Sequence, residues 1–159
     1  MKNRISEPDA TLLTSRMDVG TKGFDYFQEL LLRKSRERTE NQKKKIELLS
    51  IQYQMEDYVN SEDSELRTAG EFLKYILKTL HIQQNRFAKY IGMEPSNLSK
   101  LINGERSINY NLALIFGRLF NHNPMLWIEI QAKNEIENLL HSDKSKYADY
   151  SLNDLLEKA

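Results

Sequence analysis

Apolar side chains recur along this chain at spacings of three and four residues, with hardly any of the strict alternation that marks a half-buried strand. The first such stripe starts near Thr21, where Phe24, Phe27, Leu30 and Leu31 fall on one helical face. From Arg33 to Lys45 no apolar side chain occurs, so this run is either the exposed middle of a long helix or a polar connection. Ile46, Leu49, Met55 and Val59, with Leu48 and Ile51, resume the pattern. Asn60 to Ser64 is acidic and rich in cap and turn residues, which reads as a break. The spacing therefore predicts a helical hairpin or one long bent helix over residues 21–59, preceding a separate module. Residues 1–20 lack clear periodicity and read as a tail or a partner-dependent arm.

The module opens at about Thr68 with Phe72, Leu73, Ile76, Leu77 and Leu80 on one helical face. A short second helix is predicted over Gln84–Ile91, a third over Pro95–Ile102, a fourth over Asn111–Phe120 and a fifth over Pro124–Leu140. Asn123-Pro124 suits a helix start, a capping side chain followed by proline at the first helical position. Ser151 with Asp154 has the spacing of a capping box for one last short helix. The expected fold is all-α. Its divisions are a tail (1–20), an N-terminal helical extension (21–64), a five-helix domain (65–140) and a C-terminal tail with a short helix (141–159).

Composition supports that picture and removes several kinds of chemistry. Six glycines and three prolines in 159 residues favour long helices over many short strands. Without cysteine there is no disulfide, thiol nucleophile or thiolate metal site, which suits a cytoplasmic protein. Met1 to Ala10 has no apolar leader-like stretch, and no segment approaches the roughly 18 apolar residues of a membrane span, so no membrane partner is expected. The formal net charge is zero, but the charge is unevenly spread. Residues 69–122 carry seven Lys/Arg against three Asp/Glu, and residues 33–45 seven against two. Residues 46–68 and 123–159 are acidic and conceal the two basic segments. A basic run by itself is more often a solvated face than a nucleic-acid site.

The segment from Gln84 to Asn103 is more specific. Two short helices joined steeply by a tight turn need a small side chain where they cross, and Ala88 stands there. The turn needs a residue tolerant of positive φ, supplied by Gly92. Phe87, Ile91, Met93, Leu98 and Leu101 take the core-facing positions. Ser96, Asn97, Ser99 and Lys100 leave the third helix with short or polar groups able to reach base edges. All these requirements are met in one 20-residue frame.

With Asn103-Gly104-Glu105-Arg106 directly after it, this window resembles the phage-repressor-like (XRE-type) helix-turn-helix family. The blocks Gly70-Glu71-Phe72-Leu73, Ile102-Asn103-Gly104-Glu105-Arg106 and Asn123-Pro124-Met125-Leu126-Trp127, followed by Gln131-Ala132, are similar to those of HigA-like antitoxins of type II toxin–antitoxin modules. The resemblance covers roughly residues 68–140. A weaker one joins Leu48-Leu49 through Met55-Glu56-Asp57-Tyr58 to the helical extension of some HigA-like proteins. It implies that Gln84, Asn97, Asn103 and Arg106 meet phosphates of a double-stranded operator. It further implies that Pro95, Ser96 and Lys100 face the major groove, where Ser96 and Lys100 hydrogen-bond bases. The chain departs from the family at Glu94, where the family has Ser or Thr.

Other features add less. His81, His122 and His141 have no ligand spacing, and no phosphate loop, HExxH or G-x-S-x-G motif occurs, so neither metal, cofactor nor enzymatic activity is expected. Met125, Leu126, Trp127, Ile128 and Ile130 place five apolar residues within six positions, more than one helix stripe accommodates. Met125, Leu126, Trp127 and Ile130 are therefore expected at a homodimer interface, which would set two recognition helices on two half-sites. The sequence leads to a DNA-binding repressor, and the resemblance implies that it represses its own operon as the antitoxin of a HigB-like toxin. A stand-alone repressor and a protein-binding neutraliser without DNA binding remain open at this point.

Overall fold

A computed structural model describes residues 22–62 and 65–157. These form α1 (Lys22–Asn60), α2 (Ala69–Thr79), α3 (Gln84–Tyr90), α4 (Pro95–Ile102), α5 (Tyr110–Phe120), α6 (Met125–Ser142), α7 (Lys144–Ala148) and α8 (Leu152–Glu157), with no strand among the described residues. The fold is all-α and phage-repressor-like, with α1 to α6 and α8 in the order expected from periodicity and α7 an element that periodicity did not mark. The tail expected at 1–20, and Asp63 and Ser64 of the expected break, lie outside the described residues. The chain divides into two units between Lys43 and Lys44.

In the first unit α1 is continuous, and every residue from Leu31 to Lys43 is exposed. The hairpin alternative is thereby set aside. No Gly or Pro occurs between Phe24 and Asn60, and Lys, Arg, Glu and Gln lose little rotamer freedom in a helix. The helix persists there without an apolar stripe. Its exposed Arg33–Glu37 ion pair, at 3.9 Å, adds at most about 0.5 kcal/mol.

The second unit holds the core. Ile51, Met55 and Tyr58, at spacings of four and three, bring one stripe of α1 into it. Phe72, Leu73, Ile76 and Leu77 of α2, Phe87 of α3, Leu98 and Leu101 of α4, Phe116 and Phe120 of α5, and Trp127 and Ile130 of α6 supply most of its larger side chains. Trp127 meets Phe116 edge-on at 5.2 Å between ring centroids, a favoured aromatic arrangement.

This corrects the expectation that the extension is a module separate from the DNA-binding core. The apolar face read from Ile46 and Leu49 is also corrected, because both side chains are exposed. Several polar bonds pin the end of α1 as well. The Tyr58 hydroxyl donates to Asn134 Oδ1 of α6 and accepts from the Arg67 backbone N–H, while Asn134 Nδ2 donates to the Arg67 carbonyl at 2.9 Å. Lys133 Nζ donates to the carbonyls of Tyr58 and Ser61.

Two local features fix where α4 lies. Thr68 and Glu71 form a reciprocal capping box at the start of α2, with bonds of 3.1 and 2.8 Å. Gly70, in the first turn, packs so closely on the end of α4 that a Cβ there would overlap the carbonyl oxygens of Leu101 and Ile102. Only glycine allows this approach.

Candidate nucleic-acid interface

The turn between α3 and α4 is built as its sequence requires. Gly92 has φ +70°, and the backbone bonds Met93 N–H to Ala88 carbonyl (2.8 Å) and Gly92 N–H to Lys89 carbonyl (3.3 Å) close a Schellman motif. Ala88 and Phe87 are buried beneath it. A larger side chain at Ala88 would push the two helices apart, because the site has no free surface to yield.

Leu98, Leu101 and Ile102 bury one face of α4, and Pro95, Ser96, Ser99 and Lys100 are exposed on the other. That is the division of labour a reading helix needs: an apolar anchor on one side and short or cationic donors on the other. The helix ends in a second Schellman closure, with the Glu105 N–H donating to the Lys100 carbonyl at 2.8 Å and the Gly104 N–H to the Leu101 carbonyl at 3.2 Å. The following loop carries exposed Arg106. Gln131 of α6 clamps that loop at Ile108. Its Oε1 accepts from the Ile108 N–H at 2.6 Å, and its Nε2 donates to the Ile108 carbonyl at 2.9 Å. Hydrogen bonds thus tie down both the end of α4 and the Arg106 loop, while Lys100 and Arg106 stay exposed.

Of the residues expected to touch DNA, Gln84, Pro95, Ser96, Lys100, Asn103 and Arg106 are exposed and Asn97 is half-buried. They lie on α3, α4 and the segment immediately after α4. Glu94 caps α4 without a side-chain capping bond, so its exposed carboxylate stands at the start of α4. Ser99 belongs beside Ser96 and Lys100 on the exposed face, and the helical period alone is enough to find it.

The residues expected at a dimer interface separate differently. Leu126, Trp127 and Ile130 are 4%, 0% and 0% exposed, inside the core of a single chain, and only Met125 of that set is open, at 52%. Positions 126, 127 and 130 make one narrow stripe of α6, and they are consumed by packing inside the domain. This corrects their assignment to a second surface. Besides Met125, the large apolar residues that α6 exposes are Ile136, Leu139 and Leu140, farther along the helix.

Among the described residues no group of three or more His, Cys, Asp and Glu is placed to hold a metal ion, and no helix is long and apolar enough to cross a membrane. His122, at the α5–α6 corner, stacks on Phe120 and leans on Trp127. Burial lowers its pKa below the ordinary value, against smaller raising effects from the Phe120 backbone and the Glu56 charge.

A helix-turn-helix family model (HTH_3) matches residues 73–127. No curated protein matches the chain. Among solved structures the chain is similar to an addiction module antidote protein of the HigA family from Coxiella burnetii. Identity is 24% and the TM-score 0.51, over 55% of this chain and 98% of that one. A candidate antidote protein of a plasmid maintenance system from Nostoc punctiforme is 30% identical, with a TM-score of 0.48, over 54% of this chain and 93% of that one.

Proposed function

Starting from residues 73–127 as a helix-turn-helix DNA-binding domain of HigA-like fold, we propose that the chain is a cytoplasmic, sequence-specific repressor that also neutralises a toxin. The observation that carries the DNA reading is the two-sided α4, with Leu98, Leu101 and Ile102 buried and Ser96, Ser99 and Lys100 open. In this reading α4 enters the major groove, where Ser96 and Lys100 hydrogen-bond base edges and Pro95 packs against them. Gln84, Asn97, Asn103 and Arg106 hold phosphates and set the register. Two copies on two half-sites give a symmetric operator complex.

Fluorescence anisotropy with the chain's own promoter fragment tests this. Lys100→Ala is expected to cost about 1–3 kcal/mol and to relax base preference at one position. Arg106→Ala is expected to weaken all sequences alike and to lower the salt slope by about one. A folded Lys100→Ala protein with unchanged affinity and preference overturns the assignment.

Toxin neutralisation is supported by the likeness to a HigA-family antidote protein. It makes the repressor an autorepressor, with a HigB-like, RNA-cleaving partner encoded beside it. Co-expression of the neighbouring reading frame with and without this chain, read as RNA cleavage, decides that part. Cleavage undiminished by a stoichiometric amount of the chain leaves a stand-alone repressor.

A further inference from the structure

The C-terminal helix α8 carries large apolar side chains that no described residue covers. Leu152, Leu155 and Leu156 of α8, at spacings of three and four, are 69%, 68% and 66% exposed. They form one stripe of a short helix that also carries Asp154 and Glu157 and contains no cation. Exposing three leucines in six residues leaves unburied the surface that ordinarily drives association.

Elsewhere in the same unit lies a groove of about 530 Å³ with matching character. Leu80, Ile82, Tyr90 and Leu119 supply apolar walls, and Lys44 and Arg86 supply cations, with no carboxylate in the lining. Tyr90 is 75% exposed and Leu119 37%, so the groove opens to solvent along an apolar side. An acidic helix with a three-leucine stripe supplies both things this groove lacks: apolar side chains to fill it and carboxylates for its two cations.

We infer that α8 of one copy docks in the Leu80–Leu119 groove of a second copy, its leucines in the groove and Asp154 and Glu157 toward Lys44 and Arg86. Among the described residues the groove and the leucine stripe are both open, and a reciprocal exchange between two copies buries both twice over. Such an exchange is isologous and closes on a dimer. It does not use the exposed face of α4, so it stands or falls independently of the operator reading.

The absence of native cysteine makes a clean test possible in the full chain. One protein carries Leu155→Cys, and a second, distinguished by mass, carries Tyr90→Cys; they are mixed and oxidised without DNA. A disulfide-linked mixed dimer is expected, with much less product when each variant is oxidised alone. Arg86→Glu in the Tyr90→Cys protein is expected to lower the yield several-fold, and Glu157→Lys in the other protein to restore it. A double variant, Leu155→Cys with Tyr90→Cys, reports the competing arrangement. If it closes within one chain at a rate independent of concentration, α8 occupies its own groove and the exchange is overturned. No mixed dimer above the level given by a Ser145→Cys control, at concentrations where sedimentation shows a dimer, also overturns it. Circular dichroism of each variant confirms that the fold survives, since Leu155, Tyr90, Arg86 and Glu157 are exposed.

Discussion

Both halves of α6 carry large apolar side chains, and their fates are opposite. Leu126, Trp127 and Ile130 disappear into the core, whereas Ile136, Leu139 and Leu140 are 57%, 43% and 45% exposed. The lower part of α1 repeats the contrast within a few residues, with Ile51, Met55 and Tyr58 buried and Ile46, Leu49 and Tyr53 exposed. Hydrophobicity alone does not separate the members of either pair. What separates them is angular position: 51, 55 and 58 share one helix face, and 46, 49 and 53 the opposite one. An apolar stripe says that something covers it, and only the fold says whether that cover comes from the same chain.

The contrast is broken most severely by removing the buried stripe of α1. A fragment beginning at Glu65 loses Ile51, Met55 and Tyr58, each worth on the order of 2–5 kcal/mol as a core side chain. Against a total stability of about 5–15 kcal/mol this leaves little or nothing. The fragment is expected to show no cooperative thermal melt by circular dichroism, whereas one beginning at Lys44 melts cooperatively. A folded Glu65 fragment would return the extension to the status of a separate module.

Next in size is Trp127→Ala, expected to cost about 3–5 kcal/mol in urea unfolding because it empties a site between Phe116, Phe120 and His122. If Trp127 instead belonged to a dimer face, the loss would fall on the dimer dissociation constant and leave the folded monomer intact.

Acid probes the same corner. Since burial holds the His122 pKa below its unfolded value near 6.5, the unfolded chain takes up the proton first as pH falls. Stability is therefore fully present above that value and declines as pH drops through it, levelling off below the folded pKa. His122→Gln is expected to remove this part of the pH dependence, seen as a flatter plot of urea midpoint against pH between neutral and mildly acidic conditions. An unchanged slope would place the effect elsewhere.

The smallest effect is expected on the open side. Ile136→Ser and Leu139→Ser should each change monomer stability by no more than about 0.5 kcal/mol, measured by urea unfolding at low protein concentration. A loss of several kcal/mol there would mean the second half of α6 is covered by its own chain.

The helix-turn-helix is legible in the amino-acid sequence because its demands are local. Ala88 at the crossing, Gly92 at positive φ and the alternation of buried and open positions along Pro95–Ile102 follow from backbone geometry within 20 residues, and they place Ser96 and Lys100 on the open face. The all-α class is equally legible, from helical period and scarce glycine and proline. Burial between distant segments is not. Whether the stripe at Ile51, Met55 and Tyr58 closes on α2 and α6, and whether Trp127 fills the core or a dimer, depends on contacts between residues far apart in sequence. The need for glycine at position 70 likewise follows from the carbonyls of Leu101 and Ile102, some thirty positions away. Periodicity specifies which side chains need cover. The packing of helices, a sum over many weak contacts with steep distance dependence, specifies which of them find it within the chain and which, like the leucines of α8, are left for another.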